Sequence, residues 1–214
     1  FWFINPAKLA ADLKEQFTVK VVAYIRRQDN VIASSFCEEV KREQIALDAD
    51  VTEYALHRPR LALLDYLDIL DDWSSAFGEE NLQVRVYDRI AEKGIARDFC
   101  ELLSIDPEHF EIDPAAINPG LPYDVLSLIS NARTFKAGDA AKRRFVTALS
   151  ESVVMLDYDP SYDTSGLFSL ELRERIMQGF VKSNAAIQAK YLPGQSDELF
   201  PALSKNIYTP PLQS

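Results

Sequence analysis

The sequence predicts a mixed α/β protein with a parallel sheet, and three observations lead to that expectation. Two short segments, residues 19–25 and 82–87, are rich in apolar and β-branched side chains and read as strands. Each follows a helix-like segment and precedes another, the rhythm of parallel strands joined by crossover helices. The 214 residues are 47% hydrophobic and 26% charged, the composition of a packed globular chain rather than a disordered one. A chain of this length buries about 70% of the surface its unfolded form exposes, so it needs no disulfide or metal to hold a core.

The elements follow in order. Asn5 before Pro6 fits an N-cap with proline at the first helical position, and opens a helix expected to reach about Gln16. Residues 19–25 show little alternation, as a strand buried on both faces does. Asp29 is placed to cap a second helix over residues 30–44. Leu61, Leu64, Leu67, Leu70, Trp73 and Phe77 recur every three or four residues, which is one helical face, and Gly78 supplies the stop. Asp65, Asp68, Asp71 and Asp72 mark the solvated side of that helix. Residues 82–87 alternate, so one face of this strand is expected to be the wetter one. Further helices are expected over 95–103, 123–135, 139–155 and 169–191, making the C-terminal part helix-rich. Residues 201–214 contain proline, lack a period and read as a surface tail; residues 1–200 read as one domain. Two strands do not make a stable sheet, so others are hidden in the sequence or precede Phe1.

Charge and cysteine usage narrow the function. The 23 Lys+Arg against 33 Asp+Glu give a net charge of −10. A general nucleic-acid binder needs a positive field and is excluded, whereas one local pocket for a small anion is not. Cys37 and Cys100 cannot build a disulfide framework and read as reduced thiols of a cytoplasmic compartment. No apolar run reaches the ~18 residues of a membrane span. The histidines, His57 and His109, and the two cysteines have no metal-ligand spacing, so no metal site is expected. The first residues, Phe-Trp-Phe-Ile-Asn-Pro, lack a Met and a basic region; they read as a cut inside a longer protein rather than a signal peptide.

Residues 21–41, VVAYIRRQDNVIASSFCEEVK, hold the most informative pattern. A buried strand ends at Ile25, two arginines follow, and a helix begins. Ligands of open α/β sheets bind beyond the carboxyl ends of the strands, where Arg26 and Arg27 sit. Asn30, Ser34 and Lys41 fall near one helical stripe, and Val31, Ile32, Phe36 and Val40 supply the buried side. A guanidinium grips phosphate bidentately, and the helix N-terminus adds a favourable field. Each residue also has a plainer reading. Arg26 could pair with Asp29 at the surface, Arg27 could be a surface or salt-bridge residue, Ser34 a tolerated helix serine, and Lys41 a solvated lysine. The basic residues Lys136, Lys142, Arg143 and Arg144 read as an exposed helix face.

An aromatic-x-Arg string at a strand end with serine eight residues on, Tyr24-Ile25-Arg26 and Ser34, resembles the 3′-phosphate-binding segment of PAPS-dependent sulfotransferases, in their bacterial and carbohydrate-directed branch. (PAPS is 3′-phosphoadenosine 5′-phosphosulfate.) Similar strings follow at Leu64-Asp65-Tyr66 with Trp73 and Phe77-Gly78, at Val84-Arg85-Val86-Tyr87 with Asp98-Phe99, and at Ser183-Asn184 with Leu199-Phe200. The resemblance implies a P-loop-like three-layer α/β/α sandwich, with Arg26 and Ser34 holding the 3′-phosphate of PAPS. Tyr87 would stack on the adenine, although a core or edge tyrosine fits the position equally. A sulfuryl group would pass in line from this nucleotide-type donor to a hydroxyl of a carbohydrate or another small molecule, by positioning and charge stabilisation.

The chain departs from the family in its first 25 residues. They contain no 5′-phosphosulfate loop, no His and a single Glu, Glu15, and no G-x-x-x-x-G-K-[ST] string occurs anywhere. The domain therefore reads as N-terminally incomplete, and no catalytic residue is assigned. Two other readings stand beside the sulfotransferase: a non-catalytic helical α/β interaction module, and a P-loop nucleotide kinase-like phosphotransferase.

Overall fold

The computed structural model describes residues 4–42, 44–90, 93–110, 121–132, 138–155, 167–195 and 198–200. The chain divides into two compact units. The first comprises Phe1–Gln28, His57–His109 and Ile176–Leu203, and the second Asp29–Leu56, Phe110–Arg175 and Ser204–Ser214. The expected tail, 201–214, lies outside the described residues.

The first unit is built on two parallel strands, β1 (Val21–Ile25) and β2 (Leu82–Val86). Val21 pairs with Leu82 and Ile25 with Val86, so the strands are flush at both ends. The mixed α/β class with a parallel pair is thus what the strand–helix rhythm predicted. In both strands burial alternates: Val21, Ala23, Ile25, Leu82, Val84 and Val86 are buried, and the residues between are half-buried. The alternation of β2 was legible. The expectation that β1 is buried on both faces is corrected, because its second face bears Tyr24 opposite Arg85, a polar pair rather than a second core layer.

Helices cover the buried face. In α1 (Pro6–Leu13) the Asn5 side chain caps the helix by accepting from the Lys8 N–H at 3.0 Å, as its sequence predicts. The helix stops short of Gln16, whose N–H turns back to the Leu13 carbonyl in a tight turn. The single helix expected through Leu61 to Phe77 is two, α4 (Arg58–Ala62) and α5 (Tyr66–Phe77). Asp65 divides them: its carboxylate accepts from the Leu67 N–H at 3.3 Å and acts as a cap, not as part of a solvated face. Gly78 ends α5 with φ 96°, and a β-carbon there would meet the Glu80 carboxylate at 2.5 Å. Leu70, Trp73 and Phe77 of α5 pack with the strands, the Trp73 and Phe77 rings stacking at 5.6 Å. Ile187 of α11 (Val181–Tyr191), Leu192, Leu199 and Phe200 complete this core. Each fully buried leucine, isoleucine or phenylalanine contributes about 1.5–3 kcal/mol.

After β2 come α6 (Tyr87–Ile90) and α7 (Ile95–Leu102). Tyr87 therefore opens a helix instead of closing the strand. The expected helix over 169–191 is interrupted between α10 (Leu170–Gln178) and α11 at Gly179, a weak helix former, whose N–H bonds back to the Ile176 carbonyl at 3.1 Å.

The second unit is helical among its described residues. In α2 (Gln28–Lys41), Ile32, Phe36 and Val40 recur every fourth residue and are fully buried. The Phe36 ring meets Tyr54 of α3 (Val51–Ala55) edge-on at 5.0 Å and Phe168 at 6.3 Å. α8 (Tyr123–Ala132) buries Leu126, Ile129 and Ala132, and α9 is Asp139–Met155. The end expected for α8 at 133–135 lies outside the described residues. Asp29 does not cap α2, which begins one residue earlier. Instead Asp29 forms a fully buried ion pair with Arg173, which donates to its Oδ2 at 2.9 Å and to Asn30 Oδ1 at 2.9 Å. A charge this deep is retained only when paired. Among the described residues no helix is long and apolar enough to cross a membrane.

Candidate functional site

The flush ends of β1 and β2 create the site. Arg26 follows Ile25, Tyr87 follows Val86, and the parallel register sets the two side by side. The Arg26 guanidinium carbon lies 5.0 Å from the centroid of the Tyr87 ring, a cation–π contact. The backbone beneath is pinned twice. The Tyr66 hydroxyl, from the first turn of α5, donates to the Arg26 carbonyl at 2.9 Å. The Arg27 N–H donates to Asp88 Oδ2 at 3.1 Å. Burial pushes the Tyr66 hydroxyl well above its ordinary range, so it stays a neutral donor at physiological pH. One residue on, Gln28 and Asn184 exchange side-chain hydrogen bonds: Gln28 Nε2 donates at 2.8 Å and Asn184 Nδ2 at 3.3 Å. The result is a half-buried arginine whose guanidinium lies on an aromatic ring, on a backbone held by two side-chain hydrogen bonds. Such a group is suited to a phosphate or another small oxyanion.

Tyr24 and Arg85, partners across the strands, face a third group on the same side of the sheet. Asp98, fully buried in α7, accepts from the Tyr24 hydroxyl at 2.9 Å and from Arg85 Nε at 3.0 Å; a second Arg85 nitrogen and Lys93, at 2.9 Å, bond its other oxygen. Burial alone raises the Asp98 pKa, but the bonds from Arg85, Lys93 and Tyr24 outweigh it and bring the group down to about 2. Burial, with Asp98 alongside, pushes Tyr24 up to about 12. Arg85 is therefore committed to an internal ion pair rather than to the strand edge or to solvent.

Of the residues singled out in the sequence, the first unit brings Arg26 and Tyr87 together. Ser34 lies on the second turn of α2, half-buried, in the second unit. Asn30, Ser34 and Lys41 all lie on α2 and are half-buried; Asn30 accepts from Arg173, and Lys41 donates to Glu38 at 2.6 Å. Arg27 is not a surface residue, being 9% exposed. Asp29 pairs with Arg173. His57 is an exposed helix-capping position and His109 an exposed turn residue. Arg143 and Arg144 are exposed on α9, and Lys136 lies outside the described residues. Sequence reasoning missed Tyr66, Asp88 and the Gln28–Asn184 pair. Tyr66 and Asn184 stand in strings already noted, but nothing local names partners 40 and 156 residues away.

An uncharacterized protein of Archaeoglobus fulgidus is 29% identical over 178 residues, covering 80% of this chain. The chain spans 45% of that relative's length. No family model and no solved structure matches the chain.

Proposed function

We propose that the carboxyl edge of the β1–β2 pair binds the 3′-phosphate nucleotide of a PAPS-type sulfate donor, and that the chain belongs to a sulfotransferase acting on a hydroxyl of a carbohydrate or another small molecule. The observation that carries this reading is the Arg26–Tyr87 pair at the flush strand ends. It provides a guanidinium for phosphate and an aromatic face for a base, in the position where open parallel sheets bind ligands. The donor would bring the transferable sulfuryl group; the part argued for these residues is holding its nucleotide. The reading extends to the fold, with β1 and β2 as part of a P-loop-like three-layer sandwich, supported by their parallel register and by the helix that follows each strand. The reading carries with it a cytoplasmic setting, in line with the two cysteines among 214 residues.

The test is calorimetric titration with adenosine 3′,5′-bisphosphate, the desulfated donor product. Saturable binding is expected, weakened in Arg26→Ala by about 1.5–3 kcal/mol, the scale of hydrogen bonds to charged groups. Unchanged affinity in the variant removes the site assignment.

A second reading, a non-catalytic interaction module, is favoured by one observation. Ile95 and Phe99 of α7, with Leu103 just beyond it, share one helical face and are 42%, 43% and 54% exposed. Wild-type protein without affinity for the bisphosphate would move the balance to this reading.

A further inference from the structure

The side of β2 turned away from β1 is an open strand edge. Among the described residues the sheet has two strands, so each keeps one edge without a strand partner. Along β2 that edge is marked by two open clefts of about 420 Å³ each. The first touches Val84, Arg85 and Val86 in succession. Successive side chains of a strand point to opposite faces, so a cleft that touches three in a row runs along the edge. The second touches Leu82, at the start of β2. Among the described residues none from β1 lines either cleft, which places both on the far side of β2. Their opposite wall is one stretch of chain: Lys190, Tyr191 and Pro193 line one cleft, and Leu192, Gly194 and Gln195 the other. Together the two make a groove along β2. Arg89, bonded to Gln195, closes its carboxyl end.

An edge strand offers backbone N–H and C=O groups to an incoming strand, and natural edges are often blocked by proline or by a charge. β2 contains no proline, and its one charged side chain, Arg85, is bonded to Asp98. Val86, Ile90 and Leu192 offer apolar contacts to alternate side chains of a bound strand. At the amino end of the groove stand Glu79 and Glu80, exposed in the turn Glu79–Asn81. Lys190 lies beside them but is paired with Asp71. The charge there is therefore negative, and it favours a basic residue at that end of a ligand. A groove walled on both sides receives a single strand more readily than the sheet of a second copy of this chain.

We propose that this groove binds an extended peptide with a basic end. The peptide adds to β2 as a third strand, its backbone on the open edge and its basic residue beside Glu79 and Glu80. The site is separate from the Arg26–Tyr87 pair and does not depend on the nucleotide reading.

The experiment titrates the full chain with the peptide Lys-Val-Thr-Val-Thr-Val-Lys, acetylated and amidated. It is basic at both ends and so meets Glu79 and Glu80 whichever way it runs. Saturable one-to-one binding is expected, with slower amide hydrogen exchange in residues 82–86. The counterpart with Glu at both ends should bind about tenfold more weakly at low salt, the scale of a few exposed charge pairs. The variant carrying Glu79→Lys and Glu80→Lys, both at exposed positions, should reverse that preference. A peptide N-methylated at every Val and one N-methylated at every Thr each lack the donors of one edge, and one of the two should fail to bind. No binding at millimolar concentration, unchanged exchange in residues 82–86, full affinity of both N-methylated peptides, or a charge preference that survives the double variant would each overturn the proposal.

Discussion

Asp98 shows how one side chain can tie a sheet face together. Its carboxylate is fully buried, which by itself favours the neutral acid, yet three donors hold it ionised with a pKa of about 2. The folded value lies below the ordinary 3.8, so the stability Asp98 provides is complete above that value and is lost as pH falls through about 2. A tenfold difference in acidity between the folded and unfolded forms corresponds to about 1.4 kcal/mol. Replacing Asp98 by Asn should therefore cost most near neutrality, and the gap to wild type should narrow by about 2 kcal/mol as the medium is acidified toward pH 2. Urea midpoints of both proteins along a pH series measure this; a gap that stays constant shows that the carboxylate is not preferentially stabilised. Arg85 and Asp98 both stand in strings noted in the sequence, but their pairing was not legible there. Asp98 lies thirteen residues away on a helix, and only the fold brings the two together. Arg26 and Tyr87 were legible for a different reason: each directly follows a strand whose apolar pattern could be read from the sequence.

At the scale of elements, the same division separates what local chemistry shows from what tertiary context decides. The Asn5 cap and the Gly78 stop were legible because each acts within four residues of itself. The breaks at Asp65 and Gly179 were not, because the apolar spacing continues through both; Leu64 is buried although it lies outside a helix. The end of α7 shows a local device in full. Ser104 takes φ 56°, its N–H bonds the Glu101 carbonyl at 2.9 Å, and the Ile105 N–H bonds the Cys100 carbonyl at 2.9 Å. This is the Schellman arrangement, in which the left-handed position is usually glycine. A side chain there costs roughly 1–2 kcal/mol, while glycine gives part of that back through a freer unfolded chain. Ser104→Gly should thus stabilise the protein by about 0.5–1 kcal/mol, and the β-branched Ser104→Val should destabilise it. Chemical denaturation of the two variants decides the matter; a glycine variant no more stable than wild type would mean that Ser104 is not strained.

The molecule as a whole has a net charge of −10. Repulsion among like charges works against the compact state more than against the expanded one. The pairs that could oppose this differ in their exposure. Arg173–Asp29 is buried and only weakly open to screening, whereas Lys190–Asp71 and Arg97–Glu108 are solvent-exposed pairs of small individual value. Added salt should therefore remove more repulsion than attraction. Raising sodium chloride from about 0.01 M to about 0.1 M shortens the screening length from about 30 Å to about 10 Å, and the melting temperature should rise. Chloride is the appropriate anion, since sulfate stabilises folded proteins by exclusion from their surface. A melting temperature that falls over this range would show that paired charges, rather than the net excess, dominate the electrostatic balance of the fold. Arg85–Asp98 would then be the first pair to examine, because its arginine is 34% exposed while its carboxylate is not exposed at all.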